Sequence, residues 1–173
     1  MKIALKKILI EDANKISKWK SDPNLANLIL STSKLTSVSD AITWIQENSR
    51  DPNQRINGVY LLNENNELIG ITRLMFIDFV SGVAEFGFYI GDETKRGLGY
   101  GNIALQLTID QAFKDLKLRK LFLRVSANNE KALNLYLKYN FIKEGLLKEH
   151  YYNLDFNRFE DIIYMSLFNS ENK

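Results

Sequence analysis

The sequence predicts an α+β fold, a mainly antiparallel sheet flanked by helices, and three observations carry that prediction. Apolar residues recur at helical spacing through the first third of the chain. Alternating apolar runs begin at Gly58 and read as a meander. The remainder reads as strand, helix, strand, helix, strand, strand. At 173 residues the chain suits one domain spanning 1–173, and a chain of that size buries roughly 70% of its unfolded surface. We expect no internal repeat, linker or low-complexity tract.

Composition excludes several classes. Hydrophobic residues make up 45% and charged residues 25%, with 23 Lys plus Arg against 21 Asp plus Glu, a net charge of +2. That balance predicts neither a nucleic-acid nor a membrane surface. The absence of cysteine removes disulfides, thiolate metal sites and a cysteine nucleophile. A single histidine, His150, makes a histidine-based metal site a poor expectation. No apolar run approaches the ~20 residues of a membrane span, and no signal-peptide pattern opens the chain. The expectation is a cytoplasmic protein.

Residues 3–10 read as a first strand. Glu11 and Asp12 then head a helix whose apolar face is Ala13, Ile16 and Trp19, and Asp22-Pro23 ends it. Residues 24–37, rich in Asn, Ser and Thr, suggest a short helix and a loop. Ser39 or Asp40 caps the next helix, with Ile42, Trp44 and Ile45 inward, ending near Asp51-Pro52. Residues 58–62 and 67–76 form a hairpin around the polar turn 63–66, and 83–90 adds a third strand. A helical pattern follows over 103–116, with Leu105, Ile109, Ala112, Phe113 and Leu116 on one stripe. Residues 120–125 form an apolar strand. Asn128 opens a helix that buries Ala132, Leu135, Tyr136 and Tyr139. Residues 142–154 and 161–168 are two strands joined by a turn at 155–157.

The informative stretch is residues 85–102, EFGFYIGDETKRGLGYGN. A strand, a turn containing Gly97, Gly99 and Gly101, and a helix start together build an anion site, because unpaired N–H groups and the helix dipole converge there. The G-x-G-x-G spacing is not the G-x-G-x-x-G of a dinucleotide fold, and Gly101-Asn102-Ile103 is not a Walker A loop. The glycines could also serve only a tight turn, although Lys95 and Arg96 at its mouth favour an anionic ligand.

Arg96-Gly97-Leu98-Gly99-Tyr100-Gly101 resembles the Gln/Arg-x-x-Gly-x-Gly/Ala loop of the GNAT superfamily of N-acetyltransferases. Asn129, Ala132, Tyr136, Lys138 and Phe141 resemble that superfamily's second signature, N-x-x-A-x-x-x-Y-x-K-x-G-F. Asn140 replaces the usual glycine, and Asn tolerates a left-handed helix end. Residues 19–23, 84–86 and 153–161 are similar to the branch of ribosomal-protein N-terminal, spermidine and amino-sugar acetyltransferases.

The resemblance implies a sheet with a splayed central strand and acetyl-CoA as co-substrate. By the same resemblance, Arg96, Gly97, Leu98, Gly99, Tyr100, Gly101 and Asn102 seat the pyrophosphate. Phe88, Tyr89 and Ile90 would meet pantetheine through their main chain, and Asn129 and Ala132 would line the cofactor.

Acetyl transfer to an amine requires a base and an acid. Strand alternation puts Phe86, Phe88 and Ile90 on one face and Glu85, Gly87 and Tyr89 on the other. Glu85 is the candidate base, directly or through water; the alternatives are a solvated-face glutamate or one that fixes substrate by charge. Asn129, Ala132 and Tyr136 share one helix face. Tyr136, with an ordinary pKa of about 10, is the candidate acid for the leaving thiolate, against the plainer reading of a core tyrosine. Gly87 and Gly91 suggest a bulge or a close approach by another stretch of chain. With no cysteine, direct attack of the amine in a ternary complex is expected.

His150 reads as a near-surface strand residue. Tyr151, Tyr152, Phe156 and Phe159 read as a hairpin staple rather than an acceptor lining, and Lys6, Lys7, Lys15, Lys18 and Lys20 as a solvated face. The acceptor is a protein N-terminal amine or a small amine such as an amino sugar or polyamine, and a homo-oligomer is compatible. Residues 24–39 hold no carboxylate, which weighs against spermidine. The alternative function is an acetyl-CoA-binding sensor module without turnover.

Overall fold

The computed structural model of the protein describes residues 2–30, 37–62, 66–154 and 156–170. The predicted turns at 63–66 and 155–157, and the loop within 24–37, lie partly outside the described residues.

Seven strands form one sheet in the order β1-β2-β3-β4-β5-β7-β6. Strands β1 (Ile3–Lys6), β2 (Arg55–Leu61), β3 (Leu68–Asp78) and β4 (Val83–Ile90) pair antiparallel in sequence order, as the alternating runs predict. Strands β5 (Lys120–Ser126), β7 (Arg158–Phe168) and β6 (Ile142–Asn153) form a second antiparallel group. The two groups meet in one parallel pairing, between β4 and β5, confined to Val83↔Lys120, Ala84↔Leu121 and Glu85↔Phe122. Beyond Glu85, β4 continues along β3 as far as the Gly70↔Ile90 pair, while β5 continues along β7 as far as Ser126↔Ile162. Each strand keeps its outer partner and loses the inner one, so the centre of the sheet opens. This is the splayed strand that the resemblance implied.

Helices cover both faces. On one, α1 (Ala13–Ser21), α2 (Pro23–Leu28) and α3 (Val38–Arg50) bury Ala13, Ile16, Leu25, Ala41 and Ile45 against Ile56, Tyr60, Leu68, Ile71 and Tyr89. On the other, α4 (Tyr100–Asp110) and α5 (Glu130–Lys138) pack on Leu74, Phe86, Leu121, Leu123 and Met165 through Leu105, Ile109 and Tyr136. Burying a side chain of this size stabilises the fold by roughly 1.5–3 kcal/mol. β4 belongs to both cores, giving Phe86 to one and Tyr89 to the other, which is the alternation read from its sequence.

Some boundaries differ from expectation. The first strand stops at Lys6, not residue 10, because Ile8 turns into the α1–α3 core and a 3-10 turn at Ile10–Asp12 leads into α1. The cap of α3 is Ser37 rather than Ser39 or Asp40. Its hydroxyl accepts from the Asp40 N–H at 3.0 Å, and the Asp40 carboxylate accepts from the Ser37 N–H at 2.9 Å, a reciprocal capping box. Asn129, not Asn128, caps α5. Helix α4 begins at Tyr100, so Tyr100, Gly101 and Asn102 form its first turn instead of belonging to the loop. Beyond Asp110 it widens into a π-helical turn at Gln111–Asp115.

Candidate active site

The opening between β4 and β5 is a cavity of about 280 Å³. Glu85, Phe88, Tyr89, Asn129, Ala132 and Tyr136, all singled out from the sequence, line it together, with Lys20, Trp44, Arg73 and Arg124 beside them.

The Tyr136 side is apolar. Its ring meets Phe86 at 6.4 Å and Phe88 at 6.3 Å between centroids, both edge-on, and lies 5.6 Å from Phe141. Only 7% of the residue is exposed. Burial pushes its phenol above the ordinary tyrosine pKa, so the proton is held at neutral pH. The hydroxyl makes no hydrogen bond among the described residues and can donate to a ligand in the cavity.

The rest of the second signature is scaffolding for this side. Asn129 Oδ1 accepts from the Ala132 N–H at 3.1 Å and so fixes the start of α5. Ala132 is a small side chain on the cavity wall. Lys138 Nζ reaches Asn102 Oδ1 at 3.4 Å and the Tyr139 hydroxyl donates to the Asn102 carbonyl at 2.8 Å, tying the end of α5 to the first turn of α4. Asn140 adopts the left-handed conformation, φ 62°, that its place at the helix end requires.

The glycine loop runs from β4 into α4. The α4 cap is Gly99, at φ 84°, a conformation costly for other residues, and it carries no side chain to occupy the helix N–H groups. The N–H groups of Tyr100 and Gly101 are therefore available to an anion, whereas that of Asn102 donates to the Gly99 carbonyl at 3.1 Å. Gly101 sits against the Phe88 ring, where a Cβ would come within 3.3 Å, so the loop and the cavity are in register. Gly97 and Leu98 are exposed. Arg96 has a structural use beyond the expected one. Its Nε donates to the Ile90 carbonyl at 2.9 Å and its Nη2 to the Gly91 carbonyl at 3.0 Å, fastening the loop to the strand end. The Ile90 carbonyl is thereby engaged, the Tyr89 carbonyl faces Gly70 of β3, and that of Phe88, which alternation turns to the opening, carries no side-chain donor.

The other side is charged. Glu85 is 7% exposed, which removes the solvated-face reading. Its Oε1 accepts from Arg124 Nε at 2.8 Å, leaving Oε2 without a partner among the described residues. Arg124 was not anticipated, because it lies 39 positions away and reaches Glu85 only through the β4–β5 junction.

Lys20 corrects the sequence reading. It is 7% exposed rather than solvated, while Lys6, Lys7, Lys15 and Lys18 do lie on the surface. Its position, four after Ile16, puts it on the buried stripe of α1, and that spacing was the available signal. Lys20 Nζ stands 5.2 Å from the Trp44 ring centre and the Arg73 guanidinium 5.4 Å from it. Burial, with the Arg73 charge nearby, lowers the Lys20 pKa to about 8. Arg73 Nη2 donates to Asn48 Oδ1 at 2.7 Å and Gln54 Oε1 at 2.9 Å, but its Nε is buried without a partner, as is the Tyr89 hydroxyl.

Gly91 marks a close approach, as its type suggested: a Cβ there would fall within the Trp19 ring of α1. Gly87 is open, with only Met75 nearby. The Tyr152 and Phe159 rings, paired across β6 and β7 at 4.9 Å, staple the hairpin away from the cavity, and His150 is exposed on β6.

Residues 2–142 match the family model for the acetyltransferase (GNAT) domain. The chain belongs to this family. An uncharacterized N-acetyltransferase p20 of Bacillus licheniformis is 30% identical over 159 residues, 86% of this chain and 84% of that protein. A spermidine N(1)-acetyltransferase of Vibrio cholerae is 32% identical over 105 residues, 60% of this chain and 58% of that protein. Among solved structures, the spermidine N-acetyltransferase of Vibrio cholerae in complex with CoA and spermine superposes with a TM-score of 0.88 at 24% identity, covering 97% of this chain and 96% of that one. That likeness is one of fold. The chain is thus an N-acetyltransferase that takes acetyl-CoA as co-substrate. Among the described residues no helix is long and apolar enough to cross a membrane.

Proposed function

We propose that the protein acetylates a primary amine by direct attack on the acetyl-CoA thioester in a ternary complex, with Glu85 and Tyr136 as its base and acid. The observation that carries this reading is that one cavity, opened where β4 leaves β5, has an ionisable carboxylate on one wall and a buried, protonated phenol on the other. The loop at Arg96, Gly97, Leu98 and Gly99 and the first turn of α4, Tyr100, Gly101 and Asn102, take the pyrophosphate. The main chain of β4 at Phe88 guides the pantetheine arm past Asn129 and Ala132, while the main chain of Tyr89 faces β3.

The residues divide the reaction between them. A free alkylamine is mostly protonated at neutral pH and cannot attack. Glu85 accepts that proton through Oε2, directly or across one water, while Arg124 holds the carboxylate in place through Oε1. As the carbon–sulfur bond breaks, the Tyr136 hydroxyl donates its proton to the departing thiolate. Its apolar surroundings keep the phenol neutral and the leaving sulfur away from water.

The acceptor is a small amine or a protein N-terminal amine, the protein acts in the cytoplasm, and it assembles with copies of itself. The last reading is supported by exposed apolar residues on the outer hairpin, Ile142, Leu146 and Phe159 among them. Release of coenzyme A thiol with an amine panel tests the activity. Acetyl-CoA binding with no amine-dependent release would instead leave the sensor alternative.

A further inference from the structure

The charged wall of the cavity carries more positive charge than its one carboxylate balances. Lys20, Arg73 and Arg124 face it, and Glu85 is the only acid among the described lining residues. Glu85 already pairs with Arg124 through Oε1. Lys20 has no carboxylate partner among the described residues, and residues 24–39 contain no acid in their sequence. Arg73 is held by two neutral amide oxygens, of Asn48 and Gln54, and the one acid whose charge acts on it is Glu85, so a single carboxylate serves three cations. Its Nε remains a buried donor without an acceptor, and so does the Tyr89 hydroxyl on the same wall.

A buried ammonium and a half-buried guanidinium over one tryptophan ring repel each other and have lost hydration, so the arrangement is costly unless something compensates it. An unsatisfied buried donor costs about 1–3 kcal/mol. An anionic group seated between Lys20 and Arg73 would remove both costs at once. It would accept from Lys20 Nζ and from the free Arg73 Nε, two charge-assisted bonds. A polycation would add to the repulsion instead.

We propose that the acceptor is an anionic amine, a small molecule whose reacting nitrogen lies at Glu85 and whose carboxylate or phosphate is held by Lys20 and Arg73. This rests on the acetyl-transfer reading above and names the substrate class for the same site. Glu85 and the anion subsite then divide the acceptor by charge: the carboxylate takes the amine end and the cations take the acidic end.

Matched pairs test the assignment: n-propylamine against β-alanine and γ-aminobutyrate for a carboxylate, and ethanolamine against phosphoethanolamine for a phosphate, with spermidine as the polycation. The enzyme is saturated with acetyl-CoA for turnover and with coenzyme A for calorimetric binding. At least one anionic amine is expected to exceed its neutral partner about tenfold or more in kcat/KM, and spermidine by more. Which pair responds distinguishes carboxylate from phosphate. Lys20→Met is expected to erase the difference through KM, and Lys20→Arg to restore much of it. Higher kcat/KM for spermidine or the neutral amines would overturn the assignment while leaving the acetyltransferase reading intact. Tight binding of an anionic amine without coenzyme A release would uphold the subsite and sink the turnover reading. If no anionic amine bound better than its neutral partner and none turned over, the subsite would be wrong.

Discussion

The two faces of β4 were built by different rules. Phe86 and Phe88 stack on each other at 5.6 Å and meet Tyr136 edge-on, so the wall assigned to the thioester is an extension of the hydrophobic core. Glu85, Tyr89 and Lys20 on the opposite face are polar groups drawn out of water with Arg73 half-buried beside them, and the Arg73 Nε and the Tyr89 hydroxyl lack a partner. The first wall gains stability from packing and gets its chemistry, a phenol that stays protonated, as a by-product of burial. The second gives up stability to hold charges out of water, a cost that the proposed role in receiving the acceptor accounts for. An active site that must both shield a sulfur and receive an amine needs one wall of each kind.

The comparison can be broken at four points. Tyr136→Phe keeps the ring packing and removes only the proton. We expect kcat to fall by about 10²–10³ with the KM for acetyl-CoA little altered, measured by thiol release. Equal turnover would reduce Tyr136 to a core residue. Glu85→Gln should lower kcat by roughly 10² and abolish the acidic limb of the pH–rate profile. An unchanged rate at saturating amine across pH would remove Glu85 as base.

A structural change on the charged side comes next. Gly91→Ala forces a methyl into the Trp19 ring, and such overpacking typically costs 1–3 kcal/mol. A lowered melting temperature with weakened acceptor binding is expected, because Trp19 holds α1 against Tyr89. The smallest effect concerns pH. Lys20 has a folded-state pKa of about 8 against 10.5 when free, so between those values the unfolded chain binds more protons than the native one. This group therefore makes stability rise with pH through that window, relative to neutral pH, where its buried charge is fully present. In Lys20→Met that contribution vanishes, so the melting temperature of the unsubstituted protein should rise relative to that of Lys20→Met from pH 7 to pH 9. A constant difference would mean that Lys20 is hydrated.

Legibility in the sequence followed the same divide. The β4 boundaries, the α1 stripe and the antiparallel meander were readable because they depend on period and on neighbours close along the chain. Tyr136 and its helix partners, spaced by three and four residues, were readable for the same reason. The starts of α3 and α4 were misplaced by a turn or less, since Ser37 and Gly99 compete with equally plausible caps nearby. Lys20 departs from the solvated state usual for lysine because its place four residues after Ile16 puts it on the buried stripe of α1.

By itself, the sequence determined that a strand, a glycine turn and a helix would follow one another, and that a second helix would present Asn129, Ala132 and Tyr136 in a row. Those are local facts, set by backbone geometry over a few residues. Only the tertiary structure decided that Glu85 would pair with Arg124, and that Lys20 from α1 and Arg73 from β3 would share the Trp44 ring of α3. These groups are distant along the chain, and only the order of strands and the helix laid over them bring their charges within reach.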